Sequence, residues 1–308
     1  MLTRKHKILT RKDKRNRKSK RKYSQTRNRS DIVFKKIGQV DGNNKYPIYD
    51  VLNKDFKYYY QSKGTYIGNV KDNQRHGKGI MKYDNGDIYD GYWKKDKKRH
   101  GKGIMKYNNG DIYDGHWKDN VRNGKGIMKF KSGTIYDGDW EKDNKNGKGI
   151  MKYKDGTIYN GDWENNVRNG KAIVNYTDGS TSNGQWKNGV KDGYNTCHFT
   201  NGATYTGQWK DNVMDGKGIM EFDNGDIYDG YWEKGKRNGK GKMTYVNGNI
   251  YNGEWKDKQM HGQGKMTYKN GDVYEGSWEN YKQNGIGIMK YANGKIDVGH
   301  WENNKIKK

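Results

Sequence analysis

From about residue 77 onward, the chain alternates in short bursts. Gly79–Tyr83 and Asp87–Trp93 each place one kind of residue at every second position, and Asp84-Asn85-Gly86 separates them. Period-two alternation around an Asn-Gly pair predicts a β-hairpin. A three-residue loop ending in a left-handed glycine sets Tyr83 opposite Asp87, Met81 opposite Tyr89, Gly79 opposite Gly91 and Gly77 opposite Trp93. These residues then share one face, with the Trp93 ring across from a residue that has no side chain. A two-residue loop would shift the register by one and scatter the aromatics over both faces. The glycine pair Gly79/Gly91 is expected to leave a slot between Trp93 and Tyr89. The other face carries Ile80, Lys82, Ile88 and Asp90, with a diagonal Lys82–Asp90 ion pair expected.

The pattern recurs along the chain. All ten tryptophans fall in one series from Trp93 to Trp301, with a first interval of 24 residues and 23 thereafter. The frame is G-x-G-x-M-x-Tyr/Phe-x-x-G-x-x-Y-x-G-x-W, followed by a polar loop such as Lys118–Asn123. The extra residue lies in the loop Lys94–His100. A degenerate first unit has Val70 in the tryptophan slot, and the last has Asp297 in the tyrosine slot. Repeats of this length stack on their neighbours, because a lone hairpin is marginal in water. The fold predicted is all-β: an elongated, twisted, single-layer antiparallel sheet of consecutive hairpins. The stretch 170–200 departs most from the frame: Ala172, Val174, Ser182, Asn195 and Cys197 replace glycine, methionine, tyrosine, glycine and methionine. It reads as a bend or soft joint.

Composition excludes helical architectures. Leucine and alanine each occur three times in 308 residues, against 26 tyrosines and 10 tryptophans. No apolar run approaches the ~18 residues that cross a membrane as a helix, and no secretory leader is visible. One cysteine, Cys197, excludes an internal disulfide. Half of the +26 net charge sits in residues 1–30, where 14 Lys/Arg face one acid, Asp13. This stretch reads as a disordered basic arm, with Lys12, Lys14, Arg15, Arg17, Lys18, Lys20, Arg21 and Lys22 as its candidate polyanion-binding core. Residues 31–63 hold three strand-like runs, Ile32–Ile37, Tyr46–Leu52 and Phe56–Gln61, expected to cap the first edge strand. The array then occupies 64–301 as ten to eleven units, with a polar tail at 302–308.

The Y-x-G-x-W core with G-x-G upstream, as at Tyr89-Gly91-Trp93, Tyr113-Gly115-Trp117 and Tyr136-Gly138-Trp140, resembles the MORN-repeat family (membrane occupation and recognition nexus). The resemblance covers about three quarters of the chain. It implies the hairpin ribbon already derived and a scaffold that organises cytoskeletal or membrane-adjacent assemblies, often as a dimer. Some members carry a lipid kinase or other catalytic domain beside the repeats; only 63 residues precede these repeats and seven follow Trp301, so none is expected here.

Chemistry-bearing residues read as structural. His76, His100 and His261 precede the first glycine of G-x-G, where other units place Asn123, Asn146 or Asp192; the slot reads as a left-handed turn position. His116 and His300 occupy a variable position before tryptophan. Cys197 reads as a small buried hydrophobe. Asp84, Asp87 and Asp90 lack the spacing of a calcium loop, and Gly-Lys-Gly lacks that of a phosphate loop. The expectation is a non-enzymatic protein without cofactor, metal or small-molecule substrate, located inside the cell: cytoplasmic, membrane-peripheral or nuclear. The candidate binding face is aromatic: Tyr89, Trp93, Tyr113, Trp117, Tyr136, Trp140, Tyr159, Trp163, Tyr205, Trp209, Tyr228, Trp232, Tyr251, Trp255, Tyr274 and Trp278. It would dock a protein partner or a second copy in a homodimer, unless the rings only pack on one another. The alternatives are peripheral binding to anionic membranes and polyanion or nucleic-acid binding through residues 1–30.

Overall fold

The computed structural model describes residues 64–95 and 98–307, together with the backbone of 34–36, 49–51 and 57–61. The candidate arm, Lys12 to Lys22, lies outside the described residues. From Gly64–Lys71 to Lys305–Ile306, 22 strands form one open, uncurled antiparallel sheet, each strand paired with the next in sequence. No helix occurs among the described residues. Lys57–Gln61 pairs along the first edge of the array, Tyr59 opposite Tyr66.

Two kinds of turn alternate. At one edge the Tyr83 carbonyl accepts from the Gly86 amide at 3.0 Å, and the Tyr83 amide donates to the Asp87 carbonyl at 2.9 Å. Gly86 has φ 91°, so the loop is three residues closed by a left-handed glycine. The register follows as expected: Gly77↔Trp93, Gly79↔Gly91, Met81↔Tyr89.

The opposite edge differs from the polar loop read in the sequence. Only two residues turn, such as Asp119-Asn120 with φ 50° and 76°, and the strand Val121–Lys129 begins at once. Both signs of φ are positive, as in a type I′ hairpin, which Asn, Asp and Gly accept most readily. The left-handed residue is therefore not the histidine slot. His76, His100 and Asn123 lie within strands, and the glycine after them carries the positive φ: 65° at Gly77, 70° at Gly101 and 94° at Gly124. That glycine forms a bulge. In the pairing of Ile135–Glu141 with Asn144–Lys152, Gly138 meets Gly149 but Trp140 meets Lys145, so Asp139 faces three residues.

Candidate functional site

The sheet has two faces with different roles. On the front face, alternation gathers the tyrosine, methionine and tryptophan of every unit. Tyr89 lies over the paired glycines Gly91 and Gly103: a Cβ on Gly103 would come within 2.3 Å of its hydroxyl oxygen, and one on Gly91 within 2.5 Å. The space above each glycine pair is thus filled by a tyrosine ring, not left open between Trp93 and Tyr89. The Tyr89 hydroxyl donates to the Tyr92 carbonyl at 3.0 Å, and the Trp93 indole N–H donates to the Gly79 carbonyl at 3.1 Å.

The rings form a ladder. Tyr89 meets Trp93 at 5.1 Å and Trp117 at 5.5 Å between centroids, both edge-to-face. The alternation runs from Tyr66 to Trp186 and again from Tyr205 to Trp301. Contacts of this geometry add about 0.5–1.5 kcal/mol each beyond area burial. The ladder tyrosines are 0 % exposed, and the tryptophans from Trp93 to Trp301 are buried as well. The aromatic rings named from sequence are therefore brought together, but as the core of the ribbon. Burial raises the phenol pKa well above its ordinary value at Tyr89, Tyr113, Tyr136, Tyr159, Tyr205, Tyr228 and Tyr251, and up to about 12 at Tyr274.

A row of cations covers the tryptophans. Arg75, Arg99, Arg122, Lys145, Arg168, Lys191 and Arg237 sit 4.0–4.6 Å from the ring centroids of Trp93, Trp117, Trp140, Trp163, Trp186, Trp209 and Trp255. Arg122 also pairs with Asp143 at 2.9 Å, tying one two-residue turn to the next. Sequence reading missed this row by treating its segment as loop. The signal was present: a basic residue two places before the first glycine of G-x-G in seven units. In later units Met214, Met260 and Gln283 take the slot.

The back face stays open. Lys78, Ile80 and Lys82 form a column there, repeated by Lys102-Ile104-Lys106, Lys125-Ile127-Lys129 and Lys148-Ile150-Lys152. The lysines are exposed and the isoleucines half-buried. No ion pair joins Lys82 to Asp90. The bridges form between residues directly opposite: Lys125 with Asp139 at 2.8 Å and Lys148 with Asp162. A directly opposed pair stands closer than a diagonal one. Among the described residues no cluster of three or more His, Cys, Asp or Glu is placed to hold a metal ion.

Similar structures include the TCP10 domain of Danio rerio CPAP in complex with a peptide of STIL, at 12 % identity and TM-score 0.39, covering 73 % of this chain and 95 % of that one. The TCP domain of Drosophila melanogaster SAS-4, with a proline-rich motif of Ana2, shares 16 % identity at TM-score 0.34, covering 51 % and 85 %. Scores this low say nothing of function. No curated protein matches the chain. The MORN repeat family model matches ten times in succession: 66–88, 89–112, 113–135, 136–158, 159–181, 183–204, 205–227, 228–250, 251–273 and 274–296. Nine of these matches begin on a ladder tyrosine and the tenth on Asn183, beside the serine that replaces one. The chain belongs to the MORN-repeat family.

Proposed function

We propose that this protein is a non-catalytic repeat scaffold that engages protein partners along its back face. The supporting observation is the division between the faces. The front-face aromatics are consumed by the fold, while the back face presents a Lys-Ile-Lys column in each of the four units from Lys78 to Lys152, every second strand, about 10 Å apart. Four identical columns in succession make a long, regular surface in which rows of lysine flank a central row that alternates isoleucine with acid, Asp90 standing between Ile80 and Ile104 and Asp114 between Ile104 and Ile127. Such a surface fits a protein partner that sets apolar side chains over the isoleucines and carboxylates over the lysine rows.

The test compares three forms of the chain in affinity capture with quantitative mass spectrometry. They are the full chain, Ile104→Ser/Ile127→Ser/Ile150→Ser, and a form lacking residues 1–30. The triple variant should lose the enriched partners while its circular dichroism spectrum stays unchanged. Partners lost only on removing residues 1–30 would shift the function to the basic arm and to anionic membranes or polyanions.

A further inference from the structure

Ten three-residue turns, from Asp84-Asn85-Gly86 to Ala292-Asn293-Gly294, line one edge of the array, and nine share a device that the tenth lacks. In the nine, the second residue is Asn or Asp. Its side-chain oxygen accepts the amide two residues on at 2.8–3.2 Å. In Lys131-Ser132-Gly133 that place is held by Ser132, whose hydroxyl accepts the Thr134 amide only at 3.4 Å. This is the longest of the ten bonds and the weakest. Ser132 is exposed at the loop tip.

The charge pattern changes at the same turn. Residues 121–136 contain Arg122, Lys125, Lys129 and Lys131 and no acid. Lys154 of the next turn is exposed and lies along Gly133, where a Cβ would stand 3.7 Å from its Cγ. The carboxylates of the two adjoining turns are already engaged. Asp111 accepts from the Lys131 amide at 2.8 Å and from the Asn109 side chain at 2.9 Å, and Asp155 accepts from the Thr157 amide at 2.9 Å.

We propose that Ser132 is a phosphorylation site for a kinase that selects basic residues upstream of its target, and that the phosphate is held between the Thr134 amide and the Lys154 ammonium. The Ser132 Oγ attacks the γ-phosphorus of a nucleoside triphosphate. The new O–P bond forms as the bond to the bridging oxygen breaks, the diphosphate leaves with that electron pair, and the hydroxyl proton passes to the base of the kinase. The product carries a charge of about −2 and three acceptor oxygens. It supplies the acceptor that Asn or Asp supplies in the other nine turns, now in a charge-assisted bond. The remaining turn hydroxyls fit less well. Thr177 and Thr200 have no Lys or Arg among the five residues before them, while Thr157 and Ser180 are half-buried and follow Asp155 and Asp178 by two residues.

The test incubates the full chain, and its variants Ser132→Asn and Lys154→Gln, with magnesium ATP and the catalytic subunit of cyclic-AMP-dependent protein kinase, which is directed by upstream basic residues. Tandem mass spectrometry then locates the phosphate. Sites in residues 1–30 are counted apart, since Ser19 and Ser24 also follow basic residues. Within residues 64–308, Ser132 should carry most of the phosphate, and Ser132→Asn, which installs the residue of other turns, should lose it with the fold intact. A phosphorus-31 titration reads the second half of the proposal. The resonance missing from Ser132→Asn should titrate below the pH of about 6 usual for phosphoserine, and Lys154→Gln should move it back up. Ser132 left unmodified, or modified no more than Thr157, Thr177, Ser180 and Thr200, overturns the site. A resonance that titrates as free phosphoserine does, unmoved by Lys154→Gln, overturns the proposed hold on the phosphate.

Discussion

Tyr136 and Ser182 occupy the same place in two units and show how much the ladder depends on a single residue type. Tyr136 lies over Gly138 and Gly149 and donates to the Asp139 carbonyl at 2.9 Å. Its ring touches Trp140 and Trp163. At Ser182 the ring is gone, and the partner glycine has become Asn195. The Asn195 side chain fills the space from the neighbouring strand and donates to the Gln185 carbonyl at 3.0 Å, the acceptor equivalent to that of tyrosine. Ser182 and Asn195 are both fully buried. The backbone acceptor is thus still satisfied, as burial requires. The ring contacts are not replaced, and the aromatic core divides in two between Trp186 and Cys197. The indole N–H groups of Trp186 and Trp209 are buried without a partner. These are the two tryptophans whose expected acceptor, fourteen residues back, is Ala172 or Asn195 instead of glycine. The second glycine of G-x-G thus makes room for a tyrosine and also accompanies the indole bond to its own carbonyl.

Alkali should have the largest effect, and it acts on the ladder while bypassing the joint. The buried ladder tyrosines hold their protons more tightly folded than unfolded. Below pH 10, the unfolded value, both states are protonated and the stability is fully present. Above pH 10 the unfolded chain releases protons that the folded chain keeps, so each such tyrosine lowers stability by about 1.4 kcal/mol per pH unit. Seven or more acting together exceed the 5–15 kcal/mol of an ordinary domain within one to two pH units. Circular dichroism against pH should show cooperative unfolding between about pH 10 and 12, with phenolate absorbance rising in the same step. A smooth rise near pH 10, before any unfolding, that accounts for all 26 tyrosines would mean that the ladder tyrosines are not buried.

Gly91→Val tests the ladder at one point, with Ile88→Val as its control. A Cβ at Gly91 would lie 2.5 Å from both the Tyr89 hydroxyl oxygen and the Gly103 Cα, so ring and strand must both move. Overpacking of this kind costs about 3 kcal/mol or more, while Ile88→Val on the half-buried back face costs under about 1. Melting curves of the two variants should differ by several degrees. The register of this hairpin was legible in the sequence, because Asp84-Asn85-Gly86 and the two-residue alternation fix it between them. The break in the aromatic core was legible as well, since Ser182 replaces a ladder tyrosine and Ala172 and Asn195 replace glycines of G-x-G. The opposite edge was not. Its turn is only two residues, its strands continue into the polar segment, and its bulge depends on a glycine whose reason lies in φ. The cation row was hidden with it, because Arg99 and Arg122 reach their tryptophans only once that segment is strand. The Lys82–Asp90 pair failed because the two are only diagonal, Lys82 standing opposite Ile88 and Asp90 opposite Ile80, whereas Lys125–Asp139 and Lys148–Asp162 are directly opposed.

The smallest expected effect is also the most discriminating, because it predicts a change of sign. Ser182→Tyr alone should destabilise. The new ring would need the space that the Asn195 side chain holds, and a clash in a closed layer costs about 1–3 kcal/mol. Asn195→Gly alone should also destabilise, since it opens a cavity beside Ser182 and leaves the Gln185 carbonyl without its donor. Together the two substitutions rebuild the unit seen at Tyr136. The tyrosine gains two glycines to lie on, an acceptor at Gln185, and edge-to-face contacts with Trp186 and Trp209. Glycine at 195 also restores the setting in which the Trp209 indole donates to a carbonyl. Two ring contacts at about 0.5–1.5 kcal/mol each and one hydrogen bond near 1 kcal/mol give a gain of roughly 2 kcal/mol or more over the natural chain. A double-mutant cycle by chemical denaturation should therefore find two destabilised single variants and a stabilised double, with coupling of about 3 kcal/mol or more. Additive losses would show that the aromatic ladder does not run through residue 182 even when its parts are supplied, and that the joint is held by something other than the missing ring.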